Sequence, residues 1–364
     1  MSPSVDGLDV TVCRVPTDAP ESDGTLAWDA TTIIIVQVTA DGVRGLGYTY
    51  GDAAIGRYVI GALRDVVLGR GALDVPAAWL AMQRAARNDG ARGPAAMAIS
   101  AVDIALHDLR ARLLGVPLAT ALGAFHDAVP VYGSGGFTSY DDDRLAEQLG
   151  GWVAQGIPRV KMKVGRNPAA DDHRVAVARA AVGPETQLYV DANGAYSRAQ
   201  ARAWAARFAA MDVAYLEEPV TSDDLEGLAL VRDTAPSGLA VAAGEYAYDL
   251  SYVARMAPAV DVQQADVTRC GGITPFLQIG ALCQAVGVRF SAHCAPAAAV
   301  HACCAVQPLE HLEWFHDHTR IERMLFDGTL EPIDGLLRPD LSRAGHGLEL
   351  RQEAVASHAV ASGV

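Results

Sequence analysis

No stretch of this 364-residue sequence reaches the roughly 18 consecutive apolar residues that span a bilayer. The opening MSPSVDGLDVTVCRV has no basic region followed by an apolar run, so nothing there reads as a secretory signal. A cytoplasmic protein without a membrane partner is the expectation. Positive charge is short as well: 29 Lys and Arg stand against 43 Asp and Glu, a net −14, which argues against a nucleic-acid partner. The six cysteines (Cys13, Cys270, Cys283, Cys294, Cys303, Cys304) form no CxxC pair, and reduced buried thiols are expected. A zinc site from Cys294, Cys303 and Cys304 would lack the ligand spacing of zinc motifs. Lysine is rare, which isolates one pair. In RVKMKVG, Lys161 and Lys163 alternate on what reads as a strand and must share a face. Buried side by side they are costly without partners.

Half of the residues (51%) are hydrophobic, and the length accommodates a large α/β domain with a smaller one. In residues 1–125, strand-like segments near 7–15 and 31–39 lead into the glycine-punctuated DGVRGLGYTYGD, followed by alanine- and leucine-rich helical stretches. This is a β-then-α unit. From residue 126 to 330 short β-rich runs alternate with amphipathic helical ones: VPVYGSG, RVKMKVG, QLYVDAN, VAYLEEP, LAVAAGE, VDVQQAD, VRFSAHC and HLEWF. Helices are expected over 144–155, 170–182, 198–210 and 273–286, and after every strand but the last. Eight such units imply a parallel sheet closed into a (β/α)8 TIM barrel. The Pro- and Gly-rich residues 331–364 would return to the N-terminal α+β domain.

The apolar runs of the second to eighth units end in, or contain, an ionisable residue: Lys163, Asp191, Glu217, Glu245, Asp266, His293 and Glu313, spaced by 28, 26, 28, 21, 27 and 20 residues. One polar residue at a strand end is what any strand leaving the core shows. Seven in succession, none Ser or Thr, point to one shared mouth at the C-terminal face of the barrel, where barrel enzymes do their chemistry. Asp191, Glu217 and Glu245 would repel one another there unless a cation neutralises them, and three hard oxygen ligands suit Mg2+. Asn193 and Glu218 stand beside them as substrate or supporting contacts. Lys163 and His293 flank the carboxylates, with Asp266 placed to fix the imidazole tautomer. A cation between two bases suits removal of a proton beside a carboxylate, the cation carrying the charge of the enediolate.

VKMKVG, YVDANGAY, YLEEPV, AAGEY, ADVTRCGG, SAHCAP and HLEWF, in this order and spacing, resemble the enolase superfamily and its mandelate racemase subgroup. The resemblance covers nearly the whole chain. It implies an enolase-type barrel under an N-terminal α+β capping domain completed by the C-terminal segment, with a lysine or histidine base and Mg2+. It implies Asp191, Glu217 and Glu245 as Mg2+ ligands, Lys163 as the base on one face, and His293 with Asp266 as base or acid on the other. Lys161 would depress the Lys163 pKa and bind the substrate carboxylate, which Glu313 would also hydrogen-bond. The muconate-cycloisomerase and dipeptide-epimerase subgroups carry a lysine at the sixth strand; here Asp266 is followed by Arg269. The implied activity is dehydration of a sugar acid, with racemisation or epimerisation of a 2-hydroxy acid or related carboxylate as the alternative. A homo-oligomer acting on a small-molecule carboxylate is implied too.

Weaker features remain open at this level. Ser134 is either a substrate contact or part of a turn. Tyr48 and Tyr50 are packing residues or ligand contacts. Arg92 could pair with a distal substrate carboxylate. His316 and His318 read as a surface loop, and His301, Cys303 and Cys304 as packing on a helix.

Overall fold

The computed structural model describes residues 3–360. Three antiparallel strands come first, β1 (Gly7–Ser22), β2 (Ala27–Ala40) and β3 (Val43–Tyr50). Asp41 and Gly42 join β2 to β3 with φ of 51° and 73°, the positive values a two-residue hairpin turn needs. The helix Pro94–Leu113 covers one face of the sheet. It lies so close that a Cβ on Gly45 or Gly47 would overlap the helix backbone at Ala105 or Ala101. Gly45 and Gly47 of DGVRGLGYTYGD therefore serve helix–sheet packing.

β1 and β2 run further than the expected 7–15 and 31–39. Past an irregularity between Pro16 and Glu21 they pair again, Glu21 with Trp28 and Ser22 with Ala27, and form an arm. Its tip, residues 23–26, sits on the barrel: a Cβ on Gly24 would collide with the Val164 and Ala192 carbonyls. TDAPESDG reads locally as a turn because of its Pro, Asp and Gly, and the pairing that makes it a strand comes from across the hairpin.

The barrel strands are β4 (Val129–Gly135), β5 (Arg159–Lys163), β6 (Gln187–Asp191), β7 (Val213–Glu217), β8 (Ala240–Ala243), β9 (Val262–Ala265), β10 (Arg289–Ala292) and β11 (Leu309–Phe315). All are parallel neighbours in sequence order, and β11 pairs with β4 to close the ring. The lower lumen is filled by aromatic rings, with Tyr189 stacked on Tyr215 at 4.6 Å and Tyr132 edge-on to His311 at 4.7 Å. Residues two positions on, Ser134, Asp191, Glu217 and Glu313, share that inward face one layer nearer the mouth.

A helix follows the last strand too. His316–Leu325 is helical, which corrects the expected loop. Its polar residues look like surface in sequence but are buried by pairing: Asp317 takes Arg320 at 2.7 Å and the Thr31 hydroxyl, and His318 stacks on Tyr50 at 3.6 Å. Leu336–Leu337 then pairs with Val129–Pro130 of β4, and Val360 N–H donates to the Val12 carbonyl of β1. The return segment thus binds both the barrel and the cap. Among the described residues no helix is long and apolar enough to cross a membrane.

Glu322 of that last helix joins cap to barrel. It accepts from the Tyr48 hydroxyl at 2.6 Å and from Ala297 N–H at 3.1 Å, and burial pushes its carboxyl up to about 8. Between its ordinary value of 4.5 and about 8 the folded chain holds a proton there that the unfolded chain has lost. Stability therefore falls as pH rises across that window and levels above it. Glu322→Gln removes this slope, so variant minus wild-type stability should climb by about 1.4 kcal/mol per pH unit within the window. Urea unfolding at several pH values reads this directly; parallel slopes would refute it.

Candidate active site

Register brings the site together. Lys163 lies opposite Asp191, and Asp191 opposite Glu217, at the C-terminal ends of β5, β6 and β7. Glu245, Asp266 and His293 follow just past the ends of β8, β9 and β10, and Glu313 lies within β11. Several residues beside them turn the chain with positive φ, among them Asn193 (45°), Glu218 (39°) and Cys294 (48°). For residues with a side chain this costs of order 1–3 kcal/mol each, and such strain gathers at functional sites.

Carboxylate oxygens of Asp191, Glu217 and Glu245 lie within 4.8 Å of one another, and all three residues are buried. Glu217 Oε1 has no hydrogen-bond partner, and burial together with neighbouring Asp191 pushes this carboxyl up to about 8 against the pull of Lys161. The donors are all hard oxygens and the site is short of positive charge, so it fits a hard divalent cation.

Both lysines point inward, and they are the only two lysines in the chain. Lys161 Nζ lies 2.7 Å from Glu217 Oε2 and 2.8 Å from Glu313 Oε1, over the Tyr132 ring at 5.2 Å. Lys163 Nζ donates to Asp191 Oδ2 at 2.5 Å. The expected depression of the Lys163 pKa by Lys161 is corrected here. Burial and Lys161 do lower it, but Asp191 in contact with it, together with Glu245 and Glu217, outweighs them, and the value is raised.

His293 Nδ1–H donates to Asp266 Oδ2 at 2.8 Å, which aims Nε2 at the interior. Burial disfavours the charged ring, yet Cys294, Glu245, Glu313 and Asp266 together hold its pKa well above the usual value. Ser134 is fully buried and donates to Glu313 Oε1 at 2.5 Å, so what it touches is that carboxylate. Asn193 N–H donates to Asp191 Oδ1 at 2.8 Å, and its own Oδ1 is buried without a partner. Asn193 and Glu218 line a cavity of about 410 Å³ with Tyr246, Tyr248 and Arg92. Arg92 is paired with Asp249 at 2.5 Å on the rim.

The weaker candidates fall elsewhere. Tyr48 and Tyr50 are buried between cap and barrel. His316 pairs with Asp18 of the arm at 3.1 Å. His301 Nδ1 accepts from Ala119 N–H at 3.1 Å, and Cys303 and Cys304 are buried on the same helix. Two residues named in the sequence without a place in the site stand beside it. Arg269 reaches both Glu245 (3.3 Å) and Asp266 (3.5 Å), and the i,i+3 spacing from Asp266 was its signal. Cys294 Sγ lies 3.2 Å from His293 Nε2, with no sequence signal beyond adjacency.

Residues 8–123 match the mandelate racemase / muconate lactonizing enzyme N-terminal domain, and residues 144–354 the enolase C-terminal domain-like fold. The chain belongs to the mandelate racemase/muconate lactonizing enzyme family. A family member of known structure, a mandelate racemase/muconate lactonizing enzyme-like protein from Rubrobacter xylanophilus, is 58% identical at a TM-score of 0.97, covering 98% of this chain and 100% of its own. L-talarate/galactarate dehydratase of Salmonella typhimurium is 33% identical over 88% of this chain and 81% of its own length. A structure of that enzyme liganded with Mg and L-lyxarohydroxamate superposes at a TM-score of 0.90, with 28% identity over 99% of this chain and 94% of that one. The 3,6-anhydro-alpha-L-galactonate cycloisomerase of Streptomyces coelicolor is 32% identical over 95% of this chain and 96% of its own. Members of the family similar to this chain thus include both dehydratases and cycloisomerases.

Proposed function

We propose that this enzyme abstracts the proton beside the carboxylate of a sugar acid and then expels a β-hydroxyl as water, an acid sugar dehydratase dependent on Mg2+. The observation that carries the reading is the pair of proton-transfer groups, Lys163 Nζ and His293 Nε2, flanking one cluster of three buried carboxylates. Asp191, Glu217 and Glu245 would hold Mg2+. Bound there, it supplies Lewis acidity toward a substrate carboxylate.

The chain's own residues do the rest. Lys161, fixed as a cation by Glu217 and Glu313, offers positive charge to the substrate carboxylate. Lys163 takes or returns a proton at Nζ on one face. His293, its Nδ1–H held by Asp266, does so at Nε2 on the other, and one of the two protonates the departing hydroxyl. The arm tip packs on the Val164 and Ala192 carbonyls, one residue past Lys163 and Asp191, and so borders the mouth on that side. The cavity beside Asn193 would take the distal part of the acid.

The same two bases also serve a racemase or epimerase, in which the proton returns to the opposite face and no water leaves. Incubation with a panel of mono- and diacid sugars and Mg2+ separates the readings. Formation of a keto acid supports dehydration; α-proton exchange in D2O with inversion and no keto acid supports the alternative. Neither exchange nor product from any acid in the panel would overturn both.

A further inference from the structure

We infer that His293, Cys294 and Glu313 form a second metal site, selective for a soft or borderline divalent cation of the zinc class. The sequence argued against zinc on Cys294, Cys303 and Cys304 together, and in the fold Cys303 and Cys304 lie at the end of the following helix while Cys294 alone joins His293 and Glu313. Consecutive residues of a strand point to opposite sides. Just past β10, however, Cys294 has φ 48°, and this left-handed turn lets His293 and Cys294 converge on one point. Glu313 reaches the same point from β11.

Three ligand atoms result, one nitrogen, one sulfur and one oxygen. His293 Nε2 is 3.2 Å from Cys294 Sγ, Cys294 Sγ is 3.3 Å from Glu313 Oε2, and Glu313 Oε2 is 3.5 Å from His293 Nε2. With Zn–N and Zn–O of about 2.0 Å and Zn–S of about 2.3 Å, neighbouring ligands of a tetrahedral ion stand about 3.3–3.5 Å apart. The triangle is therefore one face of such a tetrahedron, already built. The remaining groups agree with this assignment. Asp266 holds Nδ1–H, so Nε2 is the ring atom that faces the site and becomes a donor once a cation displaces its proton. Lys161 and Ser134 occupy Glu313 Oε1 and leave Oε2 toward the thiol. All three residues are at least 95% buried, so no water-rich surface competes for the ion.

Binding releases two protons to solvent, one from the Cys294 thiol and one from Nε2 of the His293 ring, and the thiolate and the neutral imidazole then each donate an electron pair to the cation. The two sites adjoin, since Glu245 Oε2 of the all-oxygen Asp191–Glu217–Glu245 cluster lies 3.2 Å from the same Nε2, and what distinguishes them is donor type: sulfur and nitrogen here, hard oxygens there. Because the soft ion takes the Nε2 lone pair, it also silences His293 as a proton carrier; this consequence rests on the catalytic reading above, while the binding itself does not.

The test uses the full chain saturated with Mg2+ and without substrate. Calorimetry with Zn2+ should give one additional equivalent, and Co2+ in its place should give a sulfur-to-cobalt charge-transfer band. Cys294→Ser should lose the band and weaken Zn2+ binding at least about tenfold. Cys294→Ala, checked for folding by circular dichroism, serves if the serine variant does not fold. Absence of the band in the wild type, or its survival in the Cys294 variants, overturns the site. In turnover assays Zn2+ should inhibit and a zinc-selective chelator should restore activity. A Cys294-dependent band without inhibition supports the site and sinks instead the role of His293 as a base.

Discussion

Lys163→Ala and His293→Asn each abolish turnover of an acid substrate, by at least the ~10²–10⁴-fold that one general acid or base contributes. The two losses differ in kind. A substrate whose α-proton faces Lys163 still exchanges that proton with D2O in His293→Asn but not in Lys163→Ala; the opposite configuration reverses the pattern. Proton NMR of the recovered substrate separates them. His293→Asn also strands Asp266, whose Oδ2 loses its imidazole partner but keeps Arg269 nearby at 3.5 Å, so the fold should survive. Full activity in both variants would end the two-base account.

Removal of divalent cations is the second large effect. Asp191, Glu217 and Glu245 are buried together, and burial with Asp191 beside it pushes the Glu217 carboxyl up to about 8 against the pull of Lys161. Chelation should stop turnover, and added Mg2+ should restore it. Mg2+ at a hundredfold excess over its Kd should also stabilise the fold by about 2.7 kcal/mol, the mass-action value for a ligand of the folded state alone. Glu217→Gln and Glu245→Gln should each lose most of that response in thermal unfolding. If both variants bind Mg2+ as the wild type does by calorimetry, the assignment of these ligands is wrong.

The barrel and its mouth were legible because both rest on period. β-rich runs recur with helices between them, and the ionisable residues recur in step, so β5 to β7 align Lys163, Asp191 and Glu217 as their spacing implied. The helices 198–210 and 273–286 carry strong local signals and fall where expected. What local pattern could not carry depended on partners distant in sequence. The strand character of residues 16–22 and 27–30 comes from cross-hairpin pairs such as Glu21 with Trp28. The polar start of His316–Leu325 reads as a loop until Tyr50 of the cap covers His318. The charge balance at Lys163 likewise turned on a neighbour's distance: adjacency to Lys161 is visible in the sequence, and the closer Asp191 is not.

Lys161 and Lys163 being the whole lysine complement has a practical side. Apart from the α-amino group, every primary amine of this protein lies inside the barrel. Amine-directed reagents therefore find no lysine on the surface, and any mass added at a lysine reports an opening of the mouth. Isotope labelling of lysine alone would give two side-chain ammonium resonances, one per residue, in a protein of 38.2 kDa. The protonation of Lys163 could then be followed directly as substrate and cation arrive, a measurement that a lysine-rich surface would bury in overlap.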